Sequence, residues 1–183
     1  GTYSRSRTVT LLLSAGGASR MQVAVDGEAD TEPFEAFVPR RDAVLPDRDG
    51  AHVVAVKFRD DAGNTSASVS DTVILDREAP TGTVSINAGA TRVTAALVTL
   101  SFSGVGADAT ELQVSPDASF AGAAWQGVAS ALAYTLSPVD GTKTIHARWR
   151  DAAGNVGAAS QASVVLDTVA PGSPSVTIAQ GLH

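Results

Sequence analysis

The sequence predicts an all-β chain folded as two successive antiparallel β-sandwiches. Three observations predict it. Apolar and polar residues alternate at a period of two through the strongly patterned stretches, which is the signature of strands with one buried face. Aromatic residues make up 5% of the 183 residues and charged residues 17%, while Ala, Val, Ser, Thr and Gly dominate, a mixture that suits short pleated strands better than solvated helices. The chain also repeats itself: Asp49-Gly50 recurs as Asp140-Gly141, Arg59-Asp60 as Arg150-Asp151, Ala62-Gly63-Asn64 as Ala153-Gly154-Asn155, Leu75-Asp76 as Leu166-Asp167 and Ala79-Pro80 as Ala170-Pro171, always 91 positions on.

The repeat is dense enough to define domains. Between Val44–Pro80 and Thr135–Pro171, 14 of 37 positions are identical, where chance would give a few. "TVTLLLS" at Thr8–Ser14 answers "LVTLSFS" at Leu97–Ser103 with an offset of 89, and "MQV" at Met21–Val23 answers "LQV" at Leu112–Val114 with an offset of 91, so two extra residues fall in the second copy near "GVGADA". "PTGTVSINAG" at Pro80–Gly89 is answered by "PGSPSVTIAQG" at Pro171–Gly181, with Val84 and Ile86 matching Val176 and Ile178. The expected organisation is repeat 1 over residues 1–77, with its first strand missing or cut, repeat 2 over residues 78–168, and the start of a third repeat over residues 169–183. The chain is therefore expected to be a piece of a longer polypeptide.

Each element follows from its pattern. Val9, Leu11 and Leu13 alternate with Thr8, Thr10 and Leu12, as Val98, Leu100 and Phe102 alternate with Thr99, Ser101 and Ser103. Val54, Val56 and Phe58 face one way and Ala55, Lys57 and Arg59 the other; Ile145, Ala147 and Trp149 oppose His146, Arg148 and Arg150 in the same manner. Val73 with Leu75, and Val164 with Leu166, supply the next strand. Gly, Pro, Asp, Asn and Ser clusters separate these segments at roughly 8–12 residues, the spacing of an antiparallel sandwich of about seven strands per copy. The string "RDxAGN" lies between two such strands, where Gly63 and Gly154 permit positive φ, Asn64 and Asn155 tolerate the left-handed region, and Asp60 and Asp151 can accept from nearby backbone amides.

At these residues the chain resembles the bacterial Ig-like (immunoglobulin/fibronectin-III-like) tandem repeats of cell-surface or secreted proteins. The matching strings are "DGAHVVAVKFRDDAGNT" with "VILDREAP" and "DGTKTIHARWRDAAGNV" with "VVLDTVAP". The resemblance implies tandem immunoglobulin-like antiparallel β-sandwiches in an extracellular or cell-surface setting. It implies a structural, spacer role in a large extracellular bacterial surface or adhesin-type protein, positioning other domains. The alternative is a carbohydrate- or protein-binding accessory module of a secreted enzyme or adhesin.

Other classes are disfavoured by the residues. The net charge is −6 and the 13 basic residues are scattered, with Arg40-Arg41 followed at once by Asp42, so nucleic acid is not an expected partner. No run of 18 apolar residues exists, so no helical membrane insertion is expected. There is no Cys to form a disulfide, nucleophile or thiolate ligand. His52 aligns with Lys143 and His146 with Ala55, so neither recurs, and no GxSxG context accompanies a Ser-His-Asp choice; the chain is expected not to be an enzyme. "GVGADA" at Gly104–Ala109 lacks the glycine spacing of a nucleotide loop.

No cofactor is expected, with calcium as the one candidate, since related arrays bind Ca²⁺ near domain junctions. Asp76 and Asp167 precede the linkers "DREAPTG" and "DTVAPGS"; Asp60, Asn64, Asp151 and Asn155 lie in the hairpin loops. Ca²⁺ takes six to eight oxygens, and each copy supplies few, so these residues read first as turn and cap formers. Phe34, Trp125, Phe58 and Trp149 could form a sugar-stacking platform, but recurrence and inward phase favour core packing, most clearly for Phe58 and Trp149. Expected partners are neighbouring repeats of the same chain and, in the alternative reading, a host or cell-surface glycan or protein.

Overall fold

The predicted alternation is realised as strands throughout the computed structural model, which describes residues 2–27 and 32–177 and contains no helix among them. Residues divide into two compact units. One comprises Gly1–Pro80 with Ala107–Thr110 and Arg150–Gly157; the other comprises Thr81–Gly106, Glu111–Trp149 and Ala158–His183.

The first unit contains β1 (Thr2–Ser4), β2 (Thr8–Leu12), β3 (Arg20–Val25), β4 (Glu35–Ala36), β5 (Arg40–Val44), β6 (Gly50–Arg59) and β7 (Val69–Leu75). One sheet runs in the order β1-β7-β6-β3-β4 and the other pairs β2 with β5. β6 is antiparallel to both neighbours, with Met21 opposite Phe58 and Val23 opposite Val56 on one side, and Gly50 opposite Leu75 and His52 opposite Val73 on the other. This register is fixed by burial: a slip of one residue would turn Val54 and Val56 outward. Met21, Leu45, Val54, Val56 and Leu75 are buried, together with His52.

The second unit is built on β8 (Thr83–Ile86), β9 (Arg92–Val93), β10 (Leu97–Ser103), β11 (Ala109–Ser115), β12 (Trp125–Gly127), β13 (Ala131–Thr135), β14 (Gly141–Asp151) and β15 (Ser160–Leu166), except that the first two residues of β11 and the last two of β14 belong to the first unit. Its sheets run β12-β11-β14-β15-β9 and β13-β10-β8. The pairings reproduce those of the first unit position for position. Leu97 faces Thr135 as Thr8 faces Val44, and Gly141 faces Leu166 as Gly50 faces Leu75. β9 is parallel to β15, as β1 is to β7.

One strand breaks the equivalence. β8 lies antiparallel to β10, with Ile86 opposite Leu100 and Val84 opposite Phe102. Among the described residues nothing occupies the corresponding edge of β2. With β8 in place the second core closes: Val98, Leu100, Ile145, Trp149, Val164 and Leu166 are all buried, and Trp149 is fully enclosed with its ring edge-on to Phe102. The expected start of a third repeat is described only as far as residue 177; this stretch carries no strand and Val176 is 90% exposed, while Ile178, Gly181 and His183 lie outside the described residues.

Candidate functional site

The repeated string folds into the same clamp twice. Arg59 and Thr65 form an isolated antiparallel bridge around the first loop, and Arg150 and Val156 do so around the second. Within the first, Asp60 accepts the Asn64 backbone amide at 2.8 Å and the Asn64 side-chain amide at 2.8 Å. Within the second, Asp151 accepts the corresponding groups of Asn155 at 2.9 and 2.8 Å. Gly63 and Gly154 have φ of 91° and 88°, a conformation that side-chain-bearing residues rarely adopt. Both carboxylate oxygens are thus used to close a five-residue turn, which explains why the string needs Asp and Asn four residues apart.

The "DG" and "LD" strings lock the opposite end. The backbone amide of Arg77, which follows Asp76, donates to Asp49 at 3.0 Å, and the amide of Thr168, which follows Asp167, donates to Asp140 at 3.0 Å. Arg77 also reaches Asp49 and Asp47 with its guanidinium, at 2.6 Å each; the hydrogen bonds and charge of Arg77, with Arg7 beside Asp47, hold both carboxyls below the usual range. Asp167 is exposed and its carboxylate accepts only from the Val169 amide among its described bonds, at 3.4 Å.

Of the six calcium candidates, the structure brings Asp76 and Asp151 together, with a third carboxylate, Asp108, from the first unit's Ala107–Thr110 segment. One oxygen of each lies within 4.8 Å of the others. Asp151 is 3% exposed, Asp76 half-buried and Asp108 exposed. Asn155 ties the group together, donating from its side-chain amide to the Asp76 carbonyl at 2.9 Å as well as to Asp151. Burial, then the charges of Asp151, Asp108 and Asp49, push the Asp76 carboxyl above its ordinary value, although the Glu78 amide favours its anion. Asp60 and Asn64 stand outside this group, as does Asp167. Asp108 carried no recurrence signal, because at the 91-residue offset it falls on Gly17.

The donor set is of the right chemical kind for a hard divalent cation, being all oxygen and anionic. Two of the Asp151 oxygens' lone pairs are committed to Asn155, so backbone or water oxygens would have to complete the shell.

The aromatic residues separate into two kinds. Trp149 is fully buried, and Phe58 packs edge-on to Phe37 with centroids 5.8 Å apart, so neither offers a stacking face. Phe34 and Trp125 are half-buried and covered by arginines: the Arg59 guanidinium lies 3.6 Å from the Phe34 centroid, and that of Arg148 lies 5.5 Å from Trp125 and 4.1 Å from Phe120. Gln22 and Gln113, the middle residues of "MQV" and "LQV", are buried and donate their amides to the Glu32 and Ala123 carbonyls respectively.

Sequence reasoning also missed His52. It is fully buried, with Nδ1 2.7 Å from Asp26 and Nε2 2.9 Å from the Arg48 carbonyl oxygen. It does not recur at Lys143, which is why the internal alignment gave it no weight.

No family model and no curated protein matches the sequence. Solved structures do match. The fibronectin(III)-like modules of Clostridium thermocellum CbhA align at 12% identity with a TM-score of 0.55, covering 90% of this chain and 87% of theirs. The FN1–FN3 domains of chicken CNTN1 align at 18% identity with a TM-score of 0.51, covering 91% of this chain and 64% of theirs. At these identities the likeness is one of fold, and it agrees with the strand orders above: the chain is an all-β protein of immunoglobulin/fibronectin-III-like sandwiches.

Proposed function

We propose that the chain is a structural segment: tandem Ig-like sandwiches of an extracellular bacterial surface or adhesin-type protein that hold other domains at a distance. The observation that carries this reading is where the recurrent polar residues are used. Asp60 with Asn64, Asp151 with Asn155, Asp49 with Arg77 and Asp140 with Thr168 all close turns or strand ends. Recurrence at these positions is accounted for by turns and strand ends that the fold needs, and both His52 ring nitrogens are occupied, by Asp26 and by the Arg48 carbonyl. A glycan array and a pull-down from host extracellular matrix, run with the intact chain, should return no specific ligand. A saturable ligand lost on substituting Trp125 or Phe34 would favour the binding-module alternative.

A second reading concerns calcium, and the convergence of Asp76, Asp108 and Asp151 favours it. In this reading the ion would be held by those carboxylates and would stiffen the first unit by neutralising their mutual repulsion. Thermal melting with calcium and with chelator decides it: an unchanged midpoint rejects the ion.

A further inference from the structure

β13 ends the sheet β13-β10-β8, and its outer edge has no partner among the described residues. The edge lacks the devices that usually keep such strands apart: "SALAYTLS" at Ser130–Ser137 contains no charged residue and no Pro. Its equivalent in the first unit, β5, reads "RRDAV", with Arg40 and Asp42 exposed.

The backbone of β13 alternates in direction. The Leu136 amide donates to the Ala96 carbonyl, and the Ser130 carbonyl accepts from the Phe102 amide, each at 2.9 Å, so the even-numbered residues bond to β10. Ala131, Ala133 and Thr135 therefore turn their N–H and C=O groups to the open edge. All three are exposed, and their side chains are short.

This row of alternating partial charges is complementary to itself. Two antiparallel copies of β13 related by a two-fold axis at Ala133 place Ala133 opposite Ala133 and Ala131 opposite Thr135 on either side. Each outward donor then meets an outward acceptor, because residues facing each other in such pairs exchange both bonds. Leu132 comes to stand beside Tyr134 of the second copy, joining two half-buried side chains. In β5 the same arrangement fails on charge. Its backbone has the same polarity, with the Leu45 amide donating to the Arg7 carbonyl and the Pro39 carbonyl accepting from the Leu13 amide. Thr10 opposite Asp42 answers Thr99 opposite Ala133, so Asp42 holds the two-fold position and would face a second Asp42.

We propose that β13 is a homophilic docking edge: two copies of this chain pair β13 with β13, antiparallel about Ala133, fusing their three-stranded sheets into one. Backbone hydrogen bonds supply the affinity, as in strand addition generally, and the uncharged two-fold position permits the strand to meet itself. The contact is isologous, so it closes at two copies and holds two chains side by side.

Sedimentation of the intact chain, carried into the millimolar range, tests this beside Ala133→Asp, which gives β13 the residue type that β5 carries at the equivalent position. Ala133 is exposed, so the substitution leaves the sandwich core untouched. Wild type should move from one copy to two and stop there. Ala133→Asp and Ala133→Lys should each remain monomeric, while an equimolar mixture of the two should pair. In the wild-type dimer the amides of Ala131, Ala133 and Thr135 should exchange more slowly than in the monomer, with those of Leu132 and Tyr134 unchanged. A wild type that stays monomeric or grows past two copies, an Ala133→Asp variant that pairs like wild type, a mixture that does not pair, or slowed exchange without this alternation would each overturn the proposal.

Discussion

Gly82 sits against the six-membered ring of Trp149: a Cβ built on Gly82 would lie 2.7 Å from Cζ3 and 2.8 Å from Cε3 and Cη2. No side chain fits there without moving the indole, and the indole is fully enclosed. Gly82→Ala should therefore destabilise the second unit by about 1–3 kcal/mol, the usual cost of overpacking. Trp149→Ala should cost about 3–5 kcal/mol through the cavity it leaves. Trp149→Phe should cost clearly less, since the Trp149 Nε1 proton has no acceptor among the described residues and its removal forfeits no hydrogen bond there. Thermal denaturation of the three variants checks the order.

The two clamps should differ in worth although their bonds match. Asp151 is 3% exposed, so Asp151→Ala removes the acceptor of the Asn155 backbone amide in a part-buried turn and should cost about 1–3 kcal/mol. Asp60 lies in a loop whose neighbours are exposed, and water can replace it; Asp60→Ala should cost measurably less in chemical denaturation.

Asp76 should be a liability in the absence of a cation. Its carboxyl is raised above the ordinary value, so ionisation is harder in the folded chain than in the unfolded one. Folding stability then falls as pH rises from the ordinary carboxylate value through the raised one. Asp76→Asn should raise the melting temperature at neutral pH in chelator, and the gain should vanish in acid, where Asp76 is protonated in both states. If the calcium reading holds, the same variant should lose any stabilisation by the ion.

Asp26 should behave in the opposite sense. Burial opposes its ionisation, but the hydrogen bonds from His52 and the Val53 amide, with the charges of His52 and Arg48, outweigh this and hold its carboxyl below the ordinary value. The stability it contributes is present above the ordinary Asp value and is lost as pH falls through the lowered one. Asp26→Asn should destabilise the first unit at neutral pH, with the difference from wild type closing in acid.

Much of this architecture was legible in the sequence because repetition acted as an internal control. The phase of Val54, Val56 and Phe58 against Ile145, Ala147 and Trp149 placed both central strands, and the observed pairing Gly50–Leu75 against Gly141–Leu166 follows the same offset. The role of Asp60 and Asp151 as turn-closers was readable from their spacing to Asn64 and Asn155. What does not recur was invisible. Asp108 stands where the first copy has Gly17, and His52 stands where the second copy has Lys143. Arginine cover over Phe34 and Trp125 was also hidden, since Arg59 and Arg148 are not equivalent positions and no period links them to the rings.

Pulling the chain between two handles in a single-molecule force instrument tests the central claim most directly. Two independently folded sandwiches predict two separate, reversible unfolding events, each releasing the contour length of one repeat at no more than about 3.6 Å per residue. The first unit, whose β2 pairs only with β5 among the described residues, should yield at lower force than the second. A single event releasing the whole length, or extension without any resolved event, would contradict a load-bearing tandem array.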